Sequence, residues 1–393
     1  MLIEYKFNNF CSFNSDNEFN LVAPGGKIMK RFPDNYIEMN NGYDILKTAV
    51  IVGENAGGKS NFINSLKFLK TMFTNNESVR SIHAYINTDS LKEKIVPVQR
   101  FELTVIADNN VIYTYELMID EDGILVEHIS SQVKRKSVKR DIMRVQRLAG
   151  KDRYSVELNS DMRELNKAMQ KSSLSIGLFV TKLALLGNED ALAFVNWMNG
   201  KLFPEAVYSE TNSDAKKAQE DMRILRDSRY IDIFRMVDYS ICDIEVDEEK
   251  PYSKTRIIRK NKNEEFLSRE LHTDSTGVRE FFAWAVQIFR VVYENKVVFA
   301  DEMDRVLNPI LSDRVIAFIN GKAHKGQFIF STHNVLHLDL KTYMKEQIYF
   351  ITKNREKLTS ELYSLSDFPE VRYETTKIYE FYMKGILGGT AFE

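Results

Sequence analysis

Hydrophobic and polar residues alternate at the start of the chain. Ile3, Tyr5 and Phe7, then Phe19 and Leu21, share one face of two extended runs, with a turn at 14–17. This period of two is the signature of half-buried strands. After a turn at Ala23-Pro24-Gly25-Gly26, residues 49–52 read as a β-branched strand, followed by a tight glycine turn and a helix to about residue 75. Residues 76–96 carry no clear pattern. Alternation returns from 99 to 119 (Phe101, Leu103, Val105; Val111, Tyr113, Tyr115, Leu117), with hairpin turns at 108–110 and 120–123. From about 160 to 238 the period is helical: Ile176, Phe179, Leu183 and Leu186 mark one apolar face, and Ala191, Phe194, Trp197 and Met198 another. Strands resume at 241–246 and 256–259. An apolar helix is expected over 281–292, and apolar strands over 297–300 and 327–332.

Composition narrows the class. The 393 residues exceed one ordinary core, so two or more lobes are expected. A hydrophobic share of 44% with 28% charged residues is that of a folded soluble chain. The net charge of −2 leaves any nucleic-acid surface to a local patch. The segment 130–153 is such a patch, with Lys134, Arg135, Lys136, Lys139, Arg140, Arg144, Arg147, Lys151 and Arg153 against Asp141 and Asp152. It reads either as a phosphate-backbone contact or as solvated hairpin faces, and the scarcity of interleaved aromatics favours the second. Cys11 and Cys242 have no zinc spacing and fit a reducing cytoplasm. There is no signal-peptide pattern and no apolar stretch of membrane-spanning length, so a cytoplasmic protein without a membrane partner is expected.

The chemistry lies in short motifs at the strand ends. Gly53-Glu54-Asn55-Ala56-Gly57-Gly58-Lys59-Ser60 follows the spacing GxxxxGKS between a strand and a helix. Glycines at such a turn let backbone N–H groups surround a phosphate, and the helix N-terminus adds its positive end. Lys59 is expected to reach the β- and γ-phosphates of a nucleotide, with Asn61 next in the loop and Ser60 on Mg²⁺. The strand 297–300 runs into Asp301 and Glu302. Adjacent carboxylates at the end of a buried strand need a cation or water. Asp301 is expected to hold Mg²⁺, and Glu302 to orient or deprotonate the attacking water. The strand 327–332 runs into His333, a candidate γ-phosphate sensor. Ser275 and Gly277 precede the apolar helix, where Ser275 or Asp274 could equally be a plain helix cap.

Taken together, GENAGGKS, a short serine–glycine signature, FADEMD and STHN, in that order, resemble the ATPase heads of the ABC/SMC-like superfamily. More narrowly, the chain resembles the AAA-type ATP-binding proteins of the abortive-infection and OLD-like group, with a tail at 347–350, 361–368 and 379–389 that also fits. The resemblance implies an α/β P-loop head with a mixed sheet, an N-terminal β-lobe and a mainly helical insertion. It divides the chain into 1–129, a lobe with the Walker A loop; 130–262, the basic hairpin and helical insertion; and 263–393, a lobe with signature, Walker B and switch histidine. It implies ATP and Mg²⁺ as ligands and adds Asp304 as the D-loop aspartate. Ser275 and Gly277 would cap the γ-phosphate of a partner in a head-to-head dimer or higher oligomer. The signature DSTGVR departs from LSGGQ, Asn308 stands where relatives often carry histidine, and Gln99 is the candidate for the Q-loop, with an adenine contact expected near 9–13. The function implied is an ATP-hydrolysing switch in phage defence, acting with a separate nuclease or toxin. A recombination-type DNA-repair ATPase is the alternative, with DNA as partner. A transporter ATPase would need a membrane partner, and no NKxD motif supports a GTPase.

Overall fold

Thr48–Val52 is buried at all five positions because it is the middle of a sheet covered on both faces. This strand, β5, belongs to a computed structural model that describes residues 1–74, 79–80, 98–148, 154–159, 177–204, 215–303, 308–335, 338–354, 356–374 and 377–388. Of the expected features, the stretch 81–96, Lys151, Arg153, the first residues of the helical region and Asp304 lie outside the described residues.

The β5 sheet has six strands. β11 (Leu202–Phe203), β15 (Val297–Ala300), β16 (Gln327–Thr332), β5 and β17 (Ile348–Lys353) run parallel in that order, and β18 (Ser360–Ser364) pairs antiparallel at the edge. Alternate residues of β5 serve two cores. Ala49 and Ile51 face the N-terminal lobe and helix α1 (Lys59–Thr74), whereas Val50 and Val52 face a second core. The second core is built on the long helix α6 (Thr276–Glu294).

The N-terminal lobe is a seven-stranded antiparallel sheet. Its order is β10 (Tyr154–Leu158), β9 (Arg140–Arg147), β8 (Gly123–Gln132), β7 (Ile112–Asp120), β6 (Gln99–Ile106), β1 (Leu2–Asn8) and β2 (Asn17–Asn20). The alternation legible in the sequence is what this sheet requires: Tyr5, Phe7, Phe101, Leu103, Tyr115 and Leu117 are fully buried. On the opposite face Arg100 pairs with Glu102 and Glu116, and Lys6 with Glu4. A two-stranded pair, β3 (Tyr36–Glu38) and β4 (Asp44–Leu46), precedes β5.

The helical middle of the chain is shared between the two cores. Helices α2 (Phe179–Leu185) and α3 (Glu189–Gly200) pack on the N-terminal lobe. Helices α4 (Ala215–Leu225) and α5 (Ser228–Phe234) pack against α6. Beside them, β12 (Ile241–Glu245), β13 (Arg256–Lys260) and β14 (Phe266–Glu270) form a small antiparallel sheet. Helices α7 (Pro309–Gly321) and α8 (Ile378–Met383) complete the described elements. Among the described residues, no helix is long and apolar enough to cross a membrane. The α/β P-loop architecture, with its mixed sheet and N-terminal β-lobe, is as expected.

Candidate nucleotide-binding site

The glycine turn leaves β5 at Gly53 and enters α1 at Lys59. Two of its glycines are obligatory. A Cβ on Gly53 would lie 2.2 Å from the carbonyl oxygen of Ile351 in β17. Gly58 has φ +117°, and its Cβ would lie 2.4 Å from Ser360 Oγ. The loop is therefore pressed against the neighbouring strand, with no room for side chains on that side.

Lys59 is almost fully buried, which is costly for an ammonium unless it is well bonded. Its Nζ donates to the carbonyl oxygens of Gly53 (2.8 Å) and Glu54 (2.9 Å) and lies 3.1 Å from His333 Nδ1. An ammonium only donates, so His333 accepts at Nδ1 and carries its proton on Nε2. The 3.2 Å approach of Nδ1 to the Gly53 carbonyl is then between two acceptors that share Lys59.

The acidic pair at the end of β15 is organised by Ser331 in the adjacent β16. Ser331 Oγ donates to Asp301 Oδ1 at 2.5 Å and accepts the N–H of Glu302 at 2.8 Å. Glu302 has φ 50°, a left-handed conformation uncommon for a side chain of its size. The result points the two carboxylates to different places. Glu302 lines a cavity of about 260 Å³ over the glycine turn, while Asp301 is held against Ser331.

Asn55, Ala56, Gly58, Lys59, Ser60 and Asn61 form the loop side of that cavity. His333 joins Glu302 at one end, and Ser12 and Lys353 stand on the remaining wall. Such a set suits a polyphosphate: a glycine-rich loop at a helix start, a buried ammonium and an imidazole offer donors without bulky side chains. The hydroxyl of Ser60 and the carboxylate of Glu302, both lining the cavity, are hard oxygen ligands of the kind Mg²⁺ takes, whereas Asp301, the expected metal ligand, is not among the lining residues.

Other expected residues lie elsewhere. Ser275 and Gly277 do not line this cavity. Ser275 is the N-cap of α6, its Oγ accepting from Val278 N at 3.4 Å, so the cap reading holds within this chain. A Cβ on Gly277 would meet nothing within 4 Å. Gln99 does not reach the cavity: it is buried in β6 and donates to the Asn9 carbonyl at 2.7 Å. Asn308 caps α7, accepting from Leu311 N at 2.9 Å.

Of the stretch 9–13, Ser12 lines the cavity. Sequence reasoning assigned no role to Ser331, Ser360 or Lys353. Ser331 had a signal, a polar residue in an apolar strand beside the acidic pair, whereas Ser360 and Lys353 come from segments distant in sequence and had none. In the basic segment, Arg147 pairs with Asp120 at 2.5 Å, and the Arg135 guanidinium lies 5.0 Å from the Tyr43 ring centre. Lys134, Lys136, Lys139 and Arg140 are exposed around the β8–β9 turn, as solvated hairpin faces would be.

Three solved structures are similar in coverage but distant in sequence. The SMC head domain from Thermotoga maritima is 14% identical, with a TM-score of 0.40 over 92% of this chain and 98% of that one. An SMC head bound to the C-winged helix domain of ScpA is 12% identical, with a TM-score of 0.48 over 92% and 97%. An SMC head with an extended coiled coil, bound to the C-terminal domain of ScpA derived from Pyrococcus furiosus, is 11% identical, with a TM-score of 0.44 over 92% and 96%. No curated protein sequence matches the chain. One family profile matches residues 49–339, from β5 past His333, and is described as "AAA domain, putative AbiEii toxin, Type IV TA system". That span takes in most of the chain and the whole cavity apart from Ser12 and Lys353, and the chain belongs to this AAA family of nucleotide-binding domains.

Proposed function

We propose that the protein is an ATP-hydrolysing conformational switch of a bacterial anti-phage system of the abortive-infection type, acting with a separate nuclease or toxin effector. The observation that carries the catalytic part is the convergence of Lys59, Glu302 and His333, from three adjacent parallel strands, on one cavity over the glycine turn. The family membership supports the defence context.

On this reading Gly53, Glu54, Asn55, Ala56, Gly57, Gly58 and Asn61 form the phosphate cradle with Lys59. Ser60 and Asp301 hold Mg²⁺, which would shield the phosphate charge when bound. Glu302 takes the proton of the water that attacks the γ-phosphorus as the bond to the bridging oxygen breaks. Lys59 neutralises charge on the departing diphosphate, and the Nε2–H of His333 marks the γ-phosphate. Ser275 and Gly277 cap the γ-phosphate in the site of a second copy, so two heads sandwich ATP, and Asp304 serves as the D-loop aspartate. Segments 1–129 and 263–393 carry the site, and the helical middle, about 160–240, transmits closure or holds the effector. The alternative is a DNA-repair ATPase, favoured by the exposed lysines of the β8–β9 turn.

The test is a pull-down of the Glu302→Gln protein, expressed with its neighbouring genes and held in ATP. A stoichiometric nuclease- or toxin-like partner is expected. DNA alone, released by salt, would move the assignment to the repair reading.

A further inference from the structure

The cavity has two ends, and the proposed chemistry uses one of them. Lys59, Glu302 and His333 stand where β5, β15 and β16 end. The other flank of β5 belongs to β17 and β18. The register that sets Ile348 beside Val50 and Phe350 beside Val52 carries β17 on past the end of β5, so its last residue, Lys353, arrives beside the glycine turn and lines the cavity.

This approach is built into the fold. The carbonyl of Ile351 fills the space where a side chain on Gly53 would go. Ser360, the cross-strand neighbour of Lys353, donates its Oγ to the Gly57 carbonyl at 2.5 Å and lies 2.7 Å from Ser12 Oγ. Ser12 in turn accepts from Asn61 Nδ2 at 2.8 Å, and its carbonyl receives the N–H of Ser360 at 2.7 Å. Serines from the two ends of the chain thus clamp the tip of the β17–β18 hairpin onto the loop. Lys353 is half-buried in the resulting wall, and among the described residues no carboxylate pairs with it. A cation in that position, beside a glycine-rich loop that opens a helix and carries Lys59, is arranged for an anionic ligand.

We infer that Lys353 is the second cation of the nucleotide site and binds the α-phosphate and ribose end of the nucleotide, across the loop from Lys59. The inference rests on the nucleotide reading above and adds to it a contact from outside the family-matched span. Because β17, which carries Lys353, lies on the other side of β5 from β15 and β16, which lead into Glu302 and His333, its contribution is the same for di- and triphosphates.

The test is calorimetric titration of the full chain with ADP and with ATP, each with Mg²⁺, for wild type, Lys59→Ala, Lys353→Ala, Lys353→Gln and Lys353→Arg. Loss of one charge-assisted contact predicts that Lys353→Ala and Lys353→Gln both weaken ADP and ATP about tenfold and by equal factors, with Lys353→Arg close to wild type. The glutamine variant keeps most of the stem and guards against a folding defect of the alanine one. Unchanged affinity in the alanine and glutamine variants, with Lys59→Ala still impaired, overturns this inference and leaves the nucleotide reading standing. Weakening confined to ATP also overturns it, because it would place Lys353 on the γ-phosphate. A wild type that binds neither nucleotide overturns both readings together.

Discussion

Glu302 shows how a single residue is set up for a role its neighbours in sequence cannot enforce. Its left-handed φ of 50° is unfavourable for a non-glycine residue and persists where the surroundings hold it. Here Ser331 accepts its N–H and donates to Asp301 with the same hydroxyl. Ser331→Ala removes both bonds while leaving the loop untouched. It should lower the turnover rate by about tenfold or more and leave ATP affinity within about twofold, as read from steady-state kinetics and calorimetry. Equal turnover would show that Ser331 is only packing. A second residue sets a pH response. Glu127 is fully buried, and burial pushes its carboxyl up to about 7 even though Phe179 N, Val180 N and Tyr115 Oη all donate to it. A carboxyl raised in the folded state binds a proton that the unfolded chain has released. Its contribution to stability is therefore complete below about pH 4.5 and is lost as pH rises through about 7. Chemical denaturation of Glu127→Gln across this window should show lower stability overall but a flatter slope than wild type.

At the scale of elements, the parallel sheet and the antiparallel lobe are joined by buried glutamines. Gln327, the first residue of β16, accepts from Leu2 N at 2.6 Å and donates to the carbonyls of Leu2 (2.9 Å) and Leu46 (3.1 Å). Replacing it with leucine strands three backbone groups out of water's reach. Gln327→Leu should cost on the order of 3 kcal/mol in urea denaturation, far more than its added hydrophobicity returns. A loss below about 0.5 kcal/mol would contradict this account of how the lobes are held. The same element shows where the sequence was legible. β1, β6, β7 and β16 could be read because each buries one face or both, and Phe101, Leu103 and Ile329 report that burial directly. β14 could not: all five of its residues are exposed, so no alternation marks it. The motif residues of the cavity were legible because Gly53–Ser60 and Asp301-Glu302 are contiguous runs. Ser12 fell in the expected stretch 9–13, but its meeting with Ser360 was not legible, because it spans 348 positions and depends on the strand order of the whole sheet.

At the scale of the molecule, the proposed sandwich of two heads can be tested at residues outside the cavity. The start of α6, with Ser275 and Gly277, faces no part of its own cavity, and the space at Gly277 is open. Among the described residues, a Cβ there meets nothing within 4 Å. Gly277→Phe should therefore fold with a melting temperature close to wild type and bind ATP normally. If heads sandwich the nucleotide, it should fail to dimerise in ATP and hydrolyse poorly, as judged by light scattering and phosphate release. Full turnover by a monomeric Gly277→Phe protein would remove the composite site. The central claim, that this cavity hydrolyses ATP with Glu302 as base, is tested most directly by phosphate release from Glu302→Gln beside wild type under saturating Mg-ATP. With Glu302 as base, the variant binds ATP near the wild-type level and hydrolyses it about a hundredfold or more slowly. Hydrolysis by the variant at the wild-type rate would contradict it.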